Sequence, residues 1–468
     1  MKSLTTKRVL QIVILSAVSL IITIIYASLC FNRNIWTDEA FTIDMLEHYL
    51  TYGDIAAYTA TDVHPPLYYF FLKFVTDIFG RNWTLIKMLS IVPMGLIFVL
   101  SITYVRKRFS FWTALLFILF TAGIPCTMEY AVQMRMYSLC MFFVTLAALF
   151  AFDAYETGRI RSFILMTIGG VGAAYSHYFA FAAVLWIYGI LFLAILIRKR
   201  ELFPKWIIFA ILSVALYIPW IPSFLGQIGG VSESYWIPEI TFSVLAEYFP
   251  FLFGSDYPGL SVMFGILILL AAFLFTVLAI RKKGEGKLLP AFYAFLIPIL
   301  VILTGVILSM IIRPVFIIRY ALPTVPLIAL SLAITFGFME TSSKSVLTFF
   351  LCISILLSYK CTYYDEYEST YTDKTLDFLE ENMADGDIIV YNYKIYDFIY
   401  GCYFPENRLV YIDDLDYSSV SGNIWFLQTV YNPNLNPEKL SENNLVSTYC
   451  GDFGIEQNEF WIWKVAKL

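Results

Sequence analysis

Long apolar runs separated by short polar loops are the feature that most limits what this chain can fold into. The first run covers residues 9–30, is too long for a cleaved signal peptide and lacks a small-residue cleavage site. Further runs lie at 84–105, 111–127, 136–155, 161–176, 179–197, 206–223, 261–280, 288–312, 320–338 and 345–359. Because a membrane-crossing helix needs about 20 apolar residues, we predict an α-helical polytopic membrane protein with about eleven transmembrane helices.

The composition supports a membrane protein and argues against a nucleic-acid-binding one. The chain of 468 residues is 59% hydrophobic and only 14% charged, whereas soluble domains carry about 25% charged residues. Its net charge is −5, and no basic stripe remains once the loop lysines and arginines are accounted for. We therefore expect membrane lipids, and no nucleic acid, among its partners.

Basic clusters predict the orientation. They fall in alternate short loops: 106–108, 159–161, 198–200, 281–283 and Lys344, together with the N-terminus. The positive-inside rule places these loops and the N-terminus in the cytoplasm, so the intervening loops and the tail lie outside. A full crossing by residues 65–80 would invert every later basic loop, so we predict that this segment is a helix lying along the outer interface.

The tail differs from the rest in composition. An amphipathic helical pattern is followed by a turn at "ADGD" (384–387) and a short apolar strand, and further strand patterns follow. We predict a transmembrane catalytic domain over 1–359, with an outer loop 31–83 carrying interfacial helices. Residues 360–468 are predicted to form a small extracytoplasmic α/β domain.

Acidic residues and histidines mark the predicted outer face. Asp38 and Glu39 stand side by side just after the first apolar run, and a solvated pair of loop carboxylates is the plain alternative. Asp62 and His64 precede Pro65-Pro66, in "TATDVHPPLYYF" (59–70), which fixes an extended entry into an aromatic-rich helix. His177, in "YSHYFAF" (175–181), lies at a further outer boundary, where a hydrogen-bonded structural role is the alternative.

Two arginine-containing motifs lie on the same face. "MEYAVQMRMYSL" (128–139) contains Glu129, Arg135 and Tyr137, and "RPVFIIRYALPTVP" (313–326) contains Arg319 followed by Tyr320. Each arginine taken alone is compatible with snorkelling to the interface. Together with the acids they indicate one chemistry: guanidinium groups bind a phosphate, a carboxylate takes a proton from an attacking hydroxyl, and an interfacial aromatic helix holds a lipid chain.

These motifs, in this order, resemble the GT-C membrane glycosyltransferases, in the branch that contains protein O-mannosyltransferases, lipid A aminoarabinose transferases and their bacterial relatives. The resemblance covers roughly residues 5–340. It implies a bacterial inner-membrane enzyme that moves a sugar from a polyprenyl-phosphate donor to an acceptor hydroxyl of a lipid, protein or cell-wall polymer on the outer face. It implies that Asp38 is the catalytic base and that Arg135, Arg319 and Tyr320 contact the donor phosphate.

The remaining candidates follow from the same comparison. We predict that Glu39 positions the acceptor or raises the pKa of the base. The other donor- or substrate-binding candidates are Asp62, His64, Glu129, Tyr137 and His177. Some aminoarabinose transferases have Glu-Lys-Pro-Pro where this chain has Val63-His64-Pro65-Pro66. The acid is displaced to Asp62 and the lysine is replaced by His64, so the metal site or lysine–phosphate contact of those relatives does not carry over directly. A divalent metal ion at Asp62 and His64 stays open, and no cofactor is certain.

A transporter or flippase of lipid-linked sugars is the main alternative from a different class. It would also use outer-face arginines, but it favours polar residues near the bilayer midplane, and the apolar runs contain few. "MTIGGVGAAYS" (166–176) is the best candidate stretch for one. Since no separate nucleophile is identified, we expect an inverting single displacement.

Overall fold

The computed structural model describes the chain apart from residues 1, 32–34, 234–236, 238, 241–246, 254–257, 282–288, 365–370, 406–407, 432–433 and 457. It separates into two compact units. Unit 1 contains residues 1–30 and 51–361, and unit 2 contains residues 31–50 and 362–468.

Helices dominate the chain up to Tyr363. In chain order they are α1 (Lys2–Ser28), α2 (Thr37–His48), α3 (Tyr52–Thr61), α4 (Leu67–Phe79), α5 (Trp83–Ser90), α6 (Val92–Leu100), α7 (Arg106–Arg108), α8 (Phe111–Gly123), α9 (Pro125–Val132), α10 (Tyr137–Thr157), α11 (Ile160–Ala174), α12 (Tyr178–Arg198), α13 (Phe203–Tyr217), α14 (Ile221–Glu233), α15 (Tyr248–Phe253), α16 (Pro258–Arg281), α17 (Leu289–Ile311), α18 (Val325–Phe336) and α19 (Thr341–Tyr363). A π-helical turn, Ser101–Val105, joins α6 to α7, and a 3₁₀ helix, Ile318–Thr324, leads into α18.

The apolar runs form helices, as predicted, and the chain is a multi-pass membrane protein. Among the described residues, eight helices are long and apolar enough to cross a membrane, or nine if the bent pair α8 and α9 counts as one span. Each of the eleven predicted runs overlaps a helix, but α11 is shorter than a full span. The apolar part Ser261–Ala271 of α16 is likewise shorter than a full span, so the count of about eleven stays a prediction. Residues 282 and 283 of one basic cluster lie outside the described residues.

A proline break separates α8 from α9, and the loop after α9 carries Arg135. The two helices meet at an angle of 70°. Pro125 starts α9, and Ile124 before it has the extended backbone (ψ 115°) that a following proline favours. After α9 ends at Val132, the chain runs in irregular conformation to α10, so Arg135 is carried by a loop rather than by a membrane helix.

The helices around this break pack closely. Helix α18 is almost entirely buried, in contact with α8 and α17. Helices α10 and α11 approach so closely at Gly169 that a Cβ there would lie 2.6 Å from the backbone nitrogen of Ala147. Glycine is therefore required by the helix spacing at this position, and unit 1 holds its loops on a rigid framework.

Unit 2 contains a five-stranded sheet built from β1 (Ile388–Tyr391), β2 (Leu409–Tyr411), β3 (Ile424–Gln428), β4 (Leu445–Ile455) and β5 (Asn458–Lys467). The strand order is β2-β1-β3-β5-β4; β1 is parallel to β2 and β3, while β5 is antiparallel to β3 and β4. Two helices of this unit are α20 (Thr372–Asn382) and α21 (Asp397–Tyr403), and a short α22 (Pro437–Glu442) precedes β4. The predicted C-terminal β-containing region is present.

Helix α2 belongs to unit 2. Phe41 on α2 packs edge-to-face against Phe398 on α21, with ring centroids 5.8 Å apart. Ile43 and Leu46 on the same helix are also buried. The sequence interpretation assigned the whole segment 31–83 to the membrane domain; this packing instead groups residues 31–50 with the carboxyl-terminal part.

Candidate active site

The Asp62–His64 motif forms a hydrogen-bonded pair at the end of α3. An oxygen of the Asp62 carboxylate lies 3.0 Å from Nδ1 of His64. Burial acts to raise the pKa of Asp62, but the charge and hydrogen bond of His64 and the charge of Arg135 outweigh it, so this pKa lies below its ordinary value. Beyond the two prolines, the backbone N–H of Leu67 donates to the carbonyl of Tyr175 at 3.0 Å, which fixes the downstream side of the turn.

His177 is buried beside this pair. Its side chain is 3% exposed, and its Nδ1 accepts a hydrogen bond from the Phe179 backbone N–H at 3.1 Å as the N-cap of α12. The neutral ring therefore carries its proton on Nε2. Burial lowers the pKa of His177 well below its ordinary value, and the charges of His64, Arg135 and Arg319 lower it further. The ring centroid lies 5.8 Å from that of His64.

Arg135 enters the same place from the loop between α9 and α10. Its side chain is 3% exposed, and its Nη1 donates to the hydroxyl of Tyr69, on α4, at 3.3 Å. Tyr137, at the start of α10, places its ring 6.2 Å from His177. The buried guanidinium, hydrogen-bonded to one tyrosine hydroxyl, is a localised positive charge in surroundings of low polarity.

The 3₁₀ helix before α18 provides the other arginine. Tyr320 is buried and its ring lies 4.9 Å from that of His177. Arg319 is half-buried, and its charge acts on His177. The structure therefore brings together seven of the predicted site residues around His177: Asp62, His64, Arg135, Tyr137, His177, Arg319 and Tyr320. Glu129 is exposed on α9, and its predicted contact with a donor stays a prediction.

An apolar cavity of about 410 Å³ opens beside this cluster. At one end it is lined by His64, His177 and Tyr320. The rest of its wall comes from the turn after α3, from α12, α14 and α17, and from the segment after α17: Val63, Tyr178, Phe179, Phe181, Ala182, Leu185, Phe224, Gln227, Ile228, Thr304, Leu308, Ile312 and Val315. Ligand sites in proteins have this combination of a mainly apolar lining and a few convergent polar groups.

Several side chains of this wall are also exposed on the outside of unit 1. The exposed fractions are 57% for Leu185, 38% for Ile228, 37% for Leu308 and 41% for Ile312. All four are apolar and lie on helices of the membrane part or directly after one. The cavity wall is therefore continuous with a surface suited to lipid, and we call these four residues the apolar rim.

The acidic pair of the first outer segment lies in unit 2, and its two members differ. Glu39 is 2% exposed, and its carboxylate accepts a hydrogen bond from the backbone N–H of Trp36 at 3.0 Å. Asp38 is half-buried in the first turn of α2. Glu39 therefore caps its own helix, where the helix dipole favours a negative charge. Asp38 is the more exposed residue of the two, and its Oδ2 is buried.

The cavity also contains residues that the sequence interpretation did not select. Tyr178, Phe224, Gln227 and Thr304 line it. Tyr178 stands next to His177 in the quoted motif, Thr304 lies in the apolar run 288–312, and Phe224 and Gln227 follow the run 206–223. Gln227 is a single amide in "FLGQIGG" (224–230), and no local pattern marks it as a site residue.

Comparisons with known proteins agree with this geometry. Residues 63–223 match the family model described as dolichyl-phosphate-mannose-protein mannosyltransferase. No curated protein sequence matches the chain. The crystal structure of ArnT from Cupriavidus metallidurans in the apo state superposes with a TM-score of 0.60 at 11% identity, covering 96% of this chain and 97% of ArnT. The structure of that protein bound to undecaprenyl phosphate gives 0.57 at 12% identity, with the same coverage. The chain has an ArnT-like GT-C fold.

This fold confirms the predicted resemblance and fold class. The matched segment 63–223 begins directly after Asp62 and contains four of the seven clustered residues: His64, Arg135, Tyr137 and His177. The roles assigned to individual residues stay predictions.

The metal hypothesis finds no complete ligand set. Asp62 and His64 offer two ligands, but the described residues contain no group of three or more His, Cys, Asp or Glu side chains that could hold a metal ion. A divalent metal ion at Asp62 and His64 stays a prediction, and the reaction proposed below uses none.

Proposed function

We propose that this protein is a membrane glycosyltransferase that moves a sugar from a polyprenyl-phosphate donor to an acceptor hydroxyl. Transfer takes place at the outer face of a bacterial plasma membrane. The observation that carries the proposal is the apolar cavity of unit 1, which is continuous with the apolar rim and ends at His64, His177 and Tyr320 with two arginines close by.

The polar end fits a phosphate. Arg135 is buried and Arg319 half-buried, and the charges of both lower the pKa of His177. The neutral His177 ring offers an Nε2–H donor and adds no charge of its own. A phosphate placed here receives charge-assisted hydrogen bonds in a site from which water is largely excluded, where such bonds are strongest.

The apolar part fits an isoprenoid chain. Aromatic and branched aliphatic side chains such as Phe181, Phe224 and Leu308 form the wall, and the rim residues face outward among membrane helices. A lipid can therefore keep its tail in the bilayer while its phosphate reaches the arginines. The comparisons support this reading, because the matched family is described by a dolichyl-phosphate sugar and ArnT was crystallised with undecaprenyl phosphate.

In the proposed reaction the acceptor oxygen attacks the anomeric carbon while the bond from that carbon to the phosphate oxygen breaks. The electron pair leaves with the polyprenyl phosphate, and Arg135 and Arg319 stabilise its negative charge. Asp38 takes the proton from the acceptor hydroxyl. A single displacement inverts the anomeric configuration. Glu39 caps helix α2 and so holds Asp38 in its turn of the helix.

A transport function would leave that bond intact, so bond cleavage is the deciding measurement. Purified protein in nanodiscs is incubated with a polyprenyl lipid extract and an envelope fraction from its own cells, and mass spectrometry follows the conversion of polyprenyl-phosphate sugar to polyprenyl phosphate. We expect conversion by the wild type and none by Asp38→Asn. Glu47→Gln, on the same helix, is the matched control and should convert normally.

Either of two outcomes contradicts the proposal. If the wild type leaves the lipid-linked sugar intact but moves it between leaflets, the protein is a transporter. If Asp38→Asn converts at the wild-type rate, Asp38 is not the base.

The orientation is tested separately by cysteine labelling in a cysteine-free background. A membrane-impermeant maleimide applied to intact spheroplasts should label His48→Cys, whose side chain is 51% exposed. It should not reach Lys107→Cys, in a basic loop, until the membrane is permeabilised. The reverse pattern would invert the proposed topology.

A further inference from the structure

We propose that Gln227 is a positioning residue for the phosphate end of the cavity, where it holds the turn that carries Asp62 and His64. This proposal rests on the proposed function, because it assigns the turn a role in binding the donor. Gln227 lies on α14, far from the turn in sequence, and no motif of the sequence interpretation contains it.

Both ends of the Gln227 amide are used. The side chain is 7% exposed, in a wall that is otherwise mainly apolar. Its Nε2 donates to the backbone carbonyl of Thr59 at 2.7 Å, and its Oε1 accepts from the hydroxyl of Tyr178. A buried amide is tolerated where its hydrogen bonds are satisfied, so the rotamer of Gln227 is fixed by these two partners.

The carbonyl of Thr59 belongs to the last turn of α3, where carbonyl groups have no partner within the helix. Gln227 supplies that partner, three residues before Asp62. On the other side, the indole Nε1 of Trp220 donates to the hydroxyl of Tyr178 at 3.2 Å, and Tyr178 directly follows His177. Gln227 therefore links the end of α3 to the start of α12.

The turn is held at two points. Gln227 holds its upstream side through Thr59, and the hydrogen bond from the Leu67 N–H to the Tyr175 carbonyl holds its downstream side. Removing the amide releases only the upstream side. The His64 ring, which faces the cavity, can then shift from its position 5.8 Å from His177, while α4 stays anchored.

Because Gln227 is proposed to act through the turn, its effect should depend on His64. The dissociation constant of undecaprenyl phosphate is measured for the wild type, Gln227→Leu, His64→Ala and the double variant. We expect Gln227→Leu to weaken binding about tenfold in the wild-type background and less than twofold in the His64→Ala background. If Gln227→Leu weakened binding by the same factor in both backgrounds, its role would be merely structural and the proposal would be overturned.

Ser354→Ala is the matched control. Ser354 is also fully buried in unit 1, and its hydroxyl donates to the Gly123 carbonyl at 2.7 Å, which is the same kind of bond between helices. This variant should melt at a lower temperature and bind undecaprenyl phosphate as the wild type does. Tyr178→Phe is a second variant, which removes the hydroxyl that holds the other end of the amide; it should show the same dependence on His64.

A second measurement needs no lipid ligand. The chain has three histidines, so modification by diethyl pyrocarbonate can be followed for each by peptide mass spectrometry. Gln227→Leu should speed modification of His64 severalfold and leave His48 unchanged. Unchanged kinetics at His64 would refute the positioning role even if binding weakens. If the wild type fails to bind undecaprenyl phosphate, the proposed function fails, while this measurement still decides the position of the turn.

Discussion

Arg135 provides the sharpest test of the phosphate site. We consider Arg135→Gln, which leaves a shorter polar side chain and removes the charge. The native side chain is 3% exposed and one of its nitrogens already donates to Tyr69 at 3.3 Å, so the guanidinium is held in place before a ligand arrives. Hydrogen bonds to a charged group contribute about 1.5–3 kcal/mol. At about 1.4 kcal/mol per factor of ten, we expect roughly 10- to 150-fold weaker binding of undecaprenyl phosphate.

The assay is equilibrium binding of fluorescent undecaprenyl phosphate to purified protein at a fixed ratio of lipid to detergent. Two further variants separate charge from geometry. Arg135→Lys keeps the charge but loses the planar fork, so its affinity should lie between those of the wild type and the glutamine variant. Tyr69→Phe removes only a neutral hydroxyl and should change the affinity by less than about threefold.

One result would refute this reasoning. If Arg135→Gln elutes as a single folded species, melts like the wild type and binds within twofold of it, the buried guanidinium does not contact the phosphate. The cavity would then hold some other ligand or only a lipid tail.

Two further predictions concern stability. Because the pKa of His177 is lower in the folded protein than in the unfolded chain, the unfolded chain takes up the proton first. The stability present above about pH 6.5 is therefore lost as the pH falls towards the folded pKa. His177→Asn can still accept from the Phe179 N–H, and its melting temperature should fall less than that of the wild type between about pH 7 and 5. Gly169→Ala should lower the free energy of unfolding by about 1–3 kcal/mol, because its Cβ would meet the backbone of Ala147. At Gly189 the described atoms leave open space for a Cβ, so Gly189→Ala should be neutral or slightly stabilising. Equal melting temperatures for the two variants would contradict the packing argument.

Much of the architecture could be predicted because membrane helices and short strands leave strong local patterns. The run of apolar residues that became α12 and the "ADGD" turn before β1 both depend on neighbours in sequence, and both appear where predicted. Strand β4 was missed. Its exposed middle residues and the irregularity between Tyr449 and Gly451 break the alternation that identifies a strand.

The site was harder to predict, because it depends on how distant segments meet. The polar motifs identified Arg135 and His177, but nothing local shows that a ring at 177 lies 4.9 Å from one at 320. The adjacent acids Asp38 and Glu39 look equivalent in sequence. Their difference comes from the starting point of α2, which directs Glu39 back to the helix N-terminus and leaves Asp38 more accessible. A single amide at 227 was no more conspicuous than any polar residue in a span.

The membership of α2 in unit 2 has a consequence for biosynthesis. The helix that carries Asp38 leaves the ribosome early, but its packing partner, α21, is among the last segments to be made. Until then the side chains of α2 that are buried in the folded protein, such as Ile43 and Leu46, lack the rest of unit 2 to pack against. A chain truncated after α19 would therefore contain every residue that lines the cavity and would lack the packing partner of the helix that carries Asp38, the proposed base. Such a truncated protein should bind the lipid phosphate and be unable to transfer the sugar.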